Sequence, residues 1–157
     1  MFEWGSGGST VWLTGKGAEV IAIECKAEWQ HLVQDRSPDA DVRFIPGADT
    51  GSLRSEAQFS EFADYKPFFD DYVAAIDGFA DDTFDLIVID GISRCHCAER
   101  AAEKVRPNGI VVLDDTQWDF FAPAFVTFQG WETTRFRGFK RPFPSGIYET
   151  TFFHRPR

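Results

Sequence analysis

Glycines and carboxylates are the residues of this sequence whose spacing could do chemistry. A turn made of Gly5, Ser6, Gly7 and Gly8 follows the apolar start of the chain, and apolar residues from Val11 onward predict a helix after it. Glycines at such a turn allow positive φ and let a ligand approach the backbone, while N–H groups at a helix start attract electron-rich oxygen. The turn therefore favours a nucleotide-like ligand.

A glutamate at the end of the next predicted strand strengthens this interpretation. Glu24 follows the apolar run Val20–Ile23, and a carboxylate at this point can accept hydrogen bonds from both hydroxyls of a ribose. Taken alone, a glycine turn is often only a tight turn, and a strand-end glutamate is often solvated surface. The two features together indicate a ligand site.

The elements that must position these residues alternate between strand and helix. Short apolar runs with Gly, Asp or Pro after them predict buried strands, and apolar residues at helical spacing fill the segments between them. The residues at helical spacing are Trp29, Leu32 and Val33, then Phe68, Phe69, Tyr72, Val73 and Ile76, and then Ala98, Ala101, Ala102 and Val105. Strands that are apolar throughout bury both faces, so the pattern predicts an α/β fold with a parallel sheet covered on both sides. The four runs are Val20–Ile23, Val42–Ile45, Leu86–Ile89 and Ile110–Leu113.

The last third of the chain has a different pattern. Trp131–Phe139 and Tyr148–Phe153 read as two strands joined by a turn-rich stretch, which predicts an antiparallel hairpin. The sequence contains no internal repeat or linker that would mark a second domain. Residues 1–157 are therefore expected to form a single domain.

The composition is that of a globular protein with an acidic surface. Of its 157 residues 43% are hydrophobic, and the formal net charge is -9. This charge repels phosphate backbones and anionic lipid, which argues against nucleic acid and membrane partners and favours a small or cationic ligand. The odd number of cysteines argues against a disulfide framework and favours a reducing cytoplasm, and no signal peptide is evident.

The order of these motifs resembles that of the class I S-adenosylmethionine (SAM)-dependent methyltransferases. The first motif of that family is an acidic residue followed by Gly-x-Gly, matched here by Glu3, Gly5 and Gly7. The resemblance implies a Rossmann-like three-layer sandwich with strand order 3-2-1-4-5-7-6, the last strand antiparallel, and SAM across the carboxyl ends of strands one, two and four. Further matches are Glu24, Gly47–Asp49, Asp85–Gly91 and Arg106–Gly109, the last of which looks like the family's turn into its fifth strand before Ile110.

The resemblance also implies roles for individual residues. Glu3 would lie near the methionine ammonium, Asp49 could accept from the adenine amino group, and Asp90 would face the reacting end. The bland alternative for Asp49 is a turn cap. The predicted cofactor-binding set is Glu3, Gly5, Ser6, Gly7, Glu24, Cys25, Asp49 and Asp90.

Catalysis of methyl transfer depends largely on positioning, so a dedicated base is optional. If the acceptor is a hydroxyl or an amine, a base would help, and Asp90, His96 and Asp115 are the candidates because all three lie where the predicted strand ends should converge. A tetrahedral metal site at Cys95–Cys97 is not expected, since adjacent residues do not easily converge on one ion.

A metal site at Asp90 and Asp115 is suggested by a likeness to the catechol and caffeoyl-CoA O-methyltransferases, which bind Mg²⁺ at these places. The sequence departs from that pattern, because Ser93 and Thr116 stand where those enzymes have a lysine and an asparagine. Metal binding is therefore not the expected outcome. The alternative for the adjacent acids Asp114 and Asp115 is that they cap the helix after the fifth strand.

The sequence leaves two competing functions open. A nicotinamide- or flavin-binding Rossmann domain shares the first two glycines, but Thr10 stands where that pattern has Gly or Ala. A non-catalytic SAM-binding protein would keep the same turn. Because Met1 lies directly before the first motif, the usual N-terminal helical cover is expected to be lacking, and apolar surface left bare there could drive formation of a homodimer. The methyl acceptor is expected to be a small molecule.

Overall fold

The computed structural model describes residues 1–47, 69–140 and 146–157. Strands and helices alternate along these residues, as the apolar runs predict. The elements are β1 (Phe2–Trp4), α1 (Gly8–Thr14), β2 (Ile21–Glu24), α2 (Ala27–Arg36), β3 (Asp41–Phe44), α3 (Asp70–Ala74), β4 (Phe84–Ile89), α4 (Arg94–Lys104), β5 (Val105–Leu113), a 3-10 turn (Asp119–Phe121), α5 (Ala122–Thr127), β6 (Glu132–Lys140) and β7 (Gly146–His154).

The strands form one seven-stranded sheet in the order β3-β2-β1-β4-β5-β7-β6. Strands β1 to β5 pair in parallel, and β7 lies antiparallel between β5 and β6. This is the order that the family resemblance implies, and it is confirmed. The antiparallel hairpin is confirmed as well, with bounds that differ from the predicted ones by one or two residues.

The central strand β1 has only three residues, yet it joins the two halves of the sheet. Phe2 pairs with Ile21 on one side and with Ile87 on the other, and its side chain is fully buried. The Trp4 indole N–H donates to the Tyr72 carbonyl oxygen at 2.9 Å. Pairing on both sides and burial of the Phe2 and Trp4 side chains hold this short strand between β2 and β4.

Apolar clusters cover both faces of the sheet. The larger cluster places β1, β4 and β5 against α3, α4 and α5, with Ile76, Ala98 and Phe128 among its buried members. The smaller one packs Val20 and Val42 against Val33 of α2. The three layers implied by the family resemblance are thus present. Among the described helices, none is long and apolar enough to cross a bilayer.

The structure corrects the predicted boundary between α4 and β5. The apolar helical spacing predicts a helix through Val105, but α4 ends one residue earlier and Val105 is the first residue of β5. Val105 pairs with Phe84, and after a register shift Ile110 pairs with Leu86. The predicted turn before Ile110, with Asn108 at a φ of 60°, is therefore an irregularity inside one long strand.

Candidate functional site

A cleft of about 700 Å³ opens at the carboxyl ends of β1, β2 and β4. Open α/β sheets bind their ligands at such an edge, where strand order reverses on either side of the first strand. The volume is in the range that holds a cofactor or a drug-sized ligand. Its described lining residues are Gly5, Ser6, Gly7, Gly8, Glu24, Cys25, Lys26, Trp29, Phe69, Tyr72, Asp90, Gly91 and Ile92.

Gly5 is required by the way the first turn is packed. Its φ is 89°, and a Cβ built on it would lie 2.8 Å from the backbone nitrogen of Gly91. Its N–H donates to the Ile23 carbonyl at 2.8 Å, while the Asp90 N–H donates to the Trp4 carbonyl at 2.9 Å. The turn is thus held between β2 and β4 with no room for a side chain.

Gly7 meets a different requirement. Its φ of 176° is extended backbone that any residue can adopt, so its conformation does not need glycine. A Cβ on Gly7 or on Gly8 would have none of the described heavy atoms within 4 Å. The two residues therefore leave the floor of the cleft open for a ligand to approach the backbone.

The Glu24 carboxylate lies in direct contact with the glycine turn. Its Oε2 accepts from the backbone N–H of Ser6 at 3.1 Å and from the Ser6 hydroxyl at 3.0 Å. Its Oε1 accepts from the N–H groups of Cys25 at 2.9 Å and Lys26 at 3.0 Å. The residue is only 6% exposed, so three backbone donors fix the carboxylate at the cleft wall.

Glu3 does not line the cleft. Its side chain is fully buried and accepts hydrogen bonds from the hydroxyls of Ser9 and Thr10, the second at 2.6 Å. Burial raises the pKa of Glu3 to about 7, the nearby Asp90 and Glu24 charges act in the same direction, and the two hydroxyls oppose the shift. The carboxylate therefore secures the first turn of α1 against the end of β1.

Asp90 is the acid of β4 that reaches the cleft. Its side chain is 44% exposed and forms an ion pair with Arg94 of α4 at 3.2 Å. Asp115, at the end of β5, pairs with the same guanidinium at 3.2 Å. The predicted convergence of these two strand-end acids is present, although only Asp90 is among the cleft-lining residues.

The other predicted residues are placed as follows. Cys25 lines the cleft, and burial raises the pKa of its thiol to about 11, so it is a neutral thiol at physiological pH. His96 is buried on α4 and is not among the residues that line the cleft in the described part of the chain. Asp49 lies outside the described residues.

The helix-cap interpretation of the acidic pair is wrong. The next helical turn begins at Asp119 and is preceded by Trp118, four and three residues beyond the pair. The Asp114 side chain instead accepts from the Thr150 hydroxyl of β7, and the Asp115 backbone is left-handed with a φ of 60°.

Sequence reasoning missed the aromatic wall of the cleft. The helical spacing placed Trp29 and Tyr72 on apolar helix faces, but both line the cleft. The Trp29 indole N–H donates to the Ser6 carbonyl at 2.5 Å, and the residue is 46% exposed. A Cβ on Gly91 would overlap the Tyr72 hydroxyl. The signal that could have found Trp29 is its place in the first turn of the helix that follows Glu24.

Solved structures with the same fold were found, whereas the sequence matches no protein-family model and no curated protein. A TehB-like SAM-dependent methyltransferase from Corynebacterium glutamicum superposes with a TM-score of 0.57 at 16% identity, covering 98% of this chain and 79% of that one. The N-methyltransferase NodS from Bradyrhizobium japonicum has a TM-score of 0.58 at 13% identity, with 99% and 85% covered. Its structure is also solved with S-adenosyl-L-homocysteine (SAH).

Spermidine synthase from Thermotoga maritima has a similar likeness, with a TM-score of 0.57 at 14% identity. It covers 98% of this chain, which corresponds to 52% of the synthase. The chain therefore has the Rossmann-like fold of the class I SAM-dependent methyltransferases. At these identities the likeness establishes the fold alone.

Proposed function

We propose that this protein binds SAM in the cleft and transfers its methyl group to a small-molecule acceptor. The observation that carries the proposal is the meeting of three features in one space. The uncovered backbone of Gly7, the fixed carboxylate of Glu24 and the exposed carboxylate of Asp90 all line the cleft, at the strand ends where this fold binds ligands.

The charges of the cleft suit a cationic cofactor. SAM carries a sulfonium and an ammonium group against one carboxylate. The described lining of the cleft has two carboxylates, Glu24 and Asp90, against one ammonium group, Lys26, so its net charge is negative and gives the cleft a negative potential. The formal net charge of -9 adds to this potential. A cofactor with a pyrophosphate, such as NAD, would bring negative charge to the same wall and is disfavoured for that reason.

Glu24 can bind a ribose hydroxyl if one present contact is exchanged. A carboxylate has about four lone-pair positions, and the four donors around Glu24 occupy them. Three of these donors are backbone N–H groups, but the fourth is the Ser6 hydroxyl, which leaves when its side chain rotates. We infer that a ribose hydroxyl takes the place of the Ser6 hydroxyl while the backbone donors keep the carboxylate in position.

The chemistry supplied by SAM is a methyl carbon already activated by the sulfonium, so the protein has mainly to align the reactants. Alignment of this kind is worth up to about 7–11 kcal/mol in favourable cases. Asp90 is exposed at the cleft and anchored by Arg94, so it can accept a hydrogen bond from an acceptor amine or hydroxyl and orient it. His96 and Asp115 do not line the cleft, so Asp90 carries this proposal alone.

Titration calorimetry with SAH, NAD and FAD tests the cofactor assignment. SAH is expected to bind saturably, and Glu24→Gln is expected to weaken it by about 10- to 100-fold, the value of a hydrogen bond to a charged acceptor. Glu28→Gln is the matched control, because Glu28 is exposed on α2 and does not line the cleft. Binding of NAD or FAD in preference to SAH would reject the assignment.

A second measurement separates an enzyme from a non-catalytic SAM-binding protein. The purified protein is incubated with methyl-labelled SAM and pools of small amines, phenols and carboxylates, and labelled product is followed. The expected result is transfer that Asp90→Asn reduces by a larger factor than it weakens SAH binding. Saturable SAH binding with no transfer to any pool would favour the non-catalytic alternative.

A further inference from the structure

One guanidinium lies within an acidic cluster at the ends of β4 and β5. Ligand atoms of Asp90, Asp114 and Asp115 lie within 4.8 Å of one another, close enough to surround a metal ion. Arg94, the first residue of α4, reaches this cluster and pairs with Asp90 and Asp115, each at 3.2 Å. The cluster thus already contains a positive charge supplied by the chain.

The position of this guanidinium is fixed by the backbone. Its nitrogens donate to the carbonyl oxygens of Gly91 at 2.9 Å, Asp114 at 2.7 Å and Asp90 at 3.3 Å. The Arg94 side chain is 14% exposed, and its Cζ lies 5.3 Å from the centre of the Phe121 ring. Because these donors have fixed partners, Arg94 cannot turn away without leaving carbonyl groups unsatisfied.

A divalent cation would have to compete with Arg94 for the same oxygens. Ions such as Mg²⁺ and Ca²⁺ need about six or more oxygen ligands at 2.0–2.6 Å. The carboxylates of Asp90 and Asp115 are shared with Arg94, and Asp114 accepts from the Thr150 hydroxyl. An ion among them would also lie beside the positive charge of the Arg94 guanidinium, which repels it.

We propose that Arg94 is the resident cation of this cluster, taking the place of a divalent ion and holding Asp90 toward the cleft. The departures from the metal-dependent pattern at Ser93 and Thr116 are consistent with it, since the Thr116 hydroxyl is bonded to the Glu149 carboxylate and the Thr151 hydroxyl on β7. Arg94 is a positioning residue in this proposal. We expect Arg94 to exclude divalent cations whether or not the cleft binds SAM.

Binding of Mn²⁺, followed by electron paramagnetic resonance and calorimetry, tests the proposal. The wild-type protein is expected to show no saturable binding at millimolar Mn²⁺. Arg94→Met is expected to gain saturable binding with a Kd at least about 10-fold below that concentration. Arg100→Met is the matched control, because it removes the same charge from the same helix at a side chain that is 48% exposed and pairs with Asp77. This control is expected to behave as the wild type does.

Two further variants keep the test decisive. Arg94→Lys retains the charge and should exclude Mn²⁺ as the wild type does, whereas Arg94→Gln retains donors without charge and should gain binding even if Arg94→Met does not fold. The proposal is overturned if wild-type protein binds Mn²⁺ and Asp115→Asn abolishes that binding. It is also overturned if the folded neutral variants bind no better than Arg100→Met.

Discussion

The two halves of the carboxyl edge hold their acidic residues in different ways. In the half formed by β1 and β2, the donors that the described part of the chain offers to Glu3 and Glu24 are neutral, namely hydroxyls and backbone N–H groups. In the half formed by β4 and β5, Asp90 and Asp115 share one guanidinium. Acidic residues in or just after the strands of one sheet are thus stabilised by neutral hydrogen-bond donors on one side and by a charged group on the other.

Because of this difference, we expect the stability that the first half contributes to depend on pH, and the stability that the second half contributes to depend on the charge of Arg94. Among the described residues no cation shifts the pKa of Glu3, which is raised to about 7. Arg94 balances part of the charge of the other half, so loss of that single side chain should affect several carboxylates together. The variants below test this contrast in order of decreasing effect on the free energy of unfolding.

Gly5→Ala should have the largest effect, because the first half depends on a turn with no room for a side chain. The added Cβ would meet the Gly91 backbone in a residue held at a φ of 89°. We expect a loss of about 3 kcal/mol or more, measured by urea unfolding. Gly7→Ala is the control and should leave stability nearly unchanged, since its φ is extended and its Cβ is unobstructed. Equal losses in the two variants would contradict this account of the turn.

Glu3→Gln should remove a pH dependence confined to the first half. The unfolded chain releases the Glu3 proton near the ordinary glutamate pKa of 4.5 and the folded chain near 7, so the contribution is present below pH 4.5 and is lost as pH rises to 7. Relative to Glu3→Gln, the wild type should lose about 3 kcal/mol of stability across this interval. Chemical unfolding at several pH values measures the difference.

The control for this pH effect is Glu28→Gln, at an exposed position of α2. It should follow the wild-type pH profile throughout. Parallel profiles for the wild type and Glu3→Gln would show that Glu3 is ionised in the folded protein at the lower end of the interval.

Arg94→Met should have an intermediate effect on the free energy of unfolding, and it tests the half formed by β4 and β5. Three carbonyl oxygens and two carboxylates lose a charged donor, for which we expect a loss of about 2 kcal/mol. Arg100→Met should cost no more than about 0.5 kcal/mol, since its pair with Asp77 is exposed. Thermal and urea unfolding of both variants check the contrast, which fails if their losses are alike.

Ser6→Ala should have the smallest effect on stability. Only one of the four donors to Glu24 is removed, so we expect a loss of about 1 kcal/mol. If a ribose hydroxyl replaces this donor, SAH affinity should stay the same or become tighter, while Glu24→Gln weakens it. A loss of SAH affinity in Ser6→Ala as large as that in Glu24→Gln would contradict the proposed exchange.

Much of the fold could be predicted because its signals are local. Apolar runs with glycine, proline and acidic punctuation marked the strands, and the antiparallel hairpin at β6 and β7 was evident from two apolar segments around a turn. The β5 boundary was missed because the pairing of Val105 with Phe84 involves a distant strand. Helical spacing in the sequence had no means of showing that pairing.

Only part of the candidate site could be predicted from the sequence. The contact between the glycine turn and Glu24 follows from strand ends that meet at one edge of a sheet, so it was accessible from the sequence. Trp29 and Tyr72 looked like core residues, because spacing identifies an apolar face but not what covers it. Arg94 gave no signal, since a single arginine at a helix start is usually solvated.

The sequence by itself determined the alternation of strands and helices, and with it the placing of acids at strand ends, because residue spacing and turn chemistry act over a few positions. Only the tertiary structure decided which donor each acid meets. Glu3 turned inward to two hydroxyls of α1, and Asp90 was joined to Asp115 through Arg94. Such contacts depend on distances between separate elements, which are set by how the helices pack on the sheet.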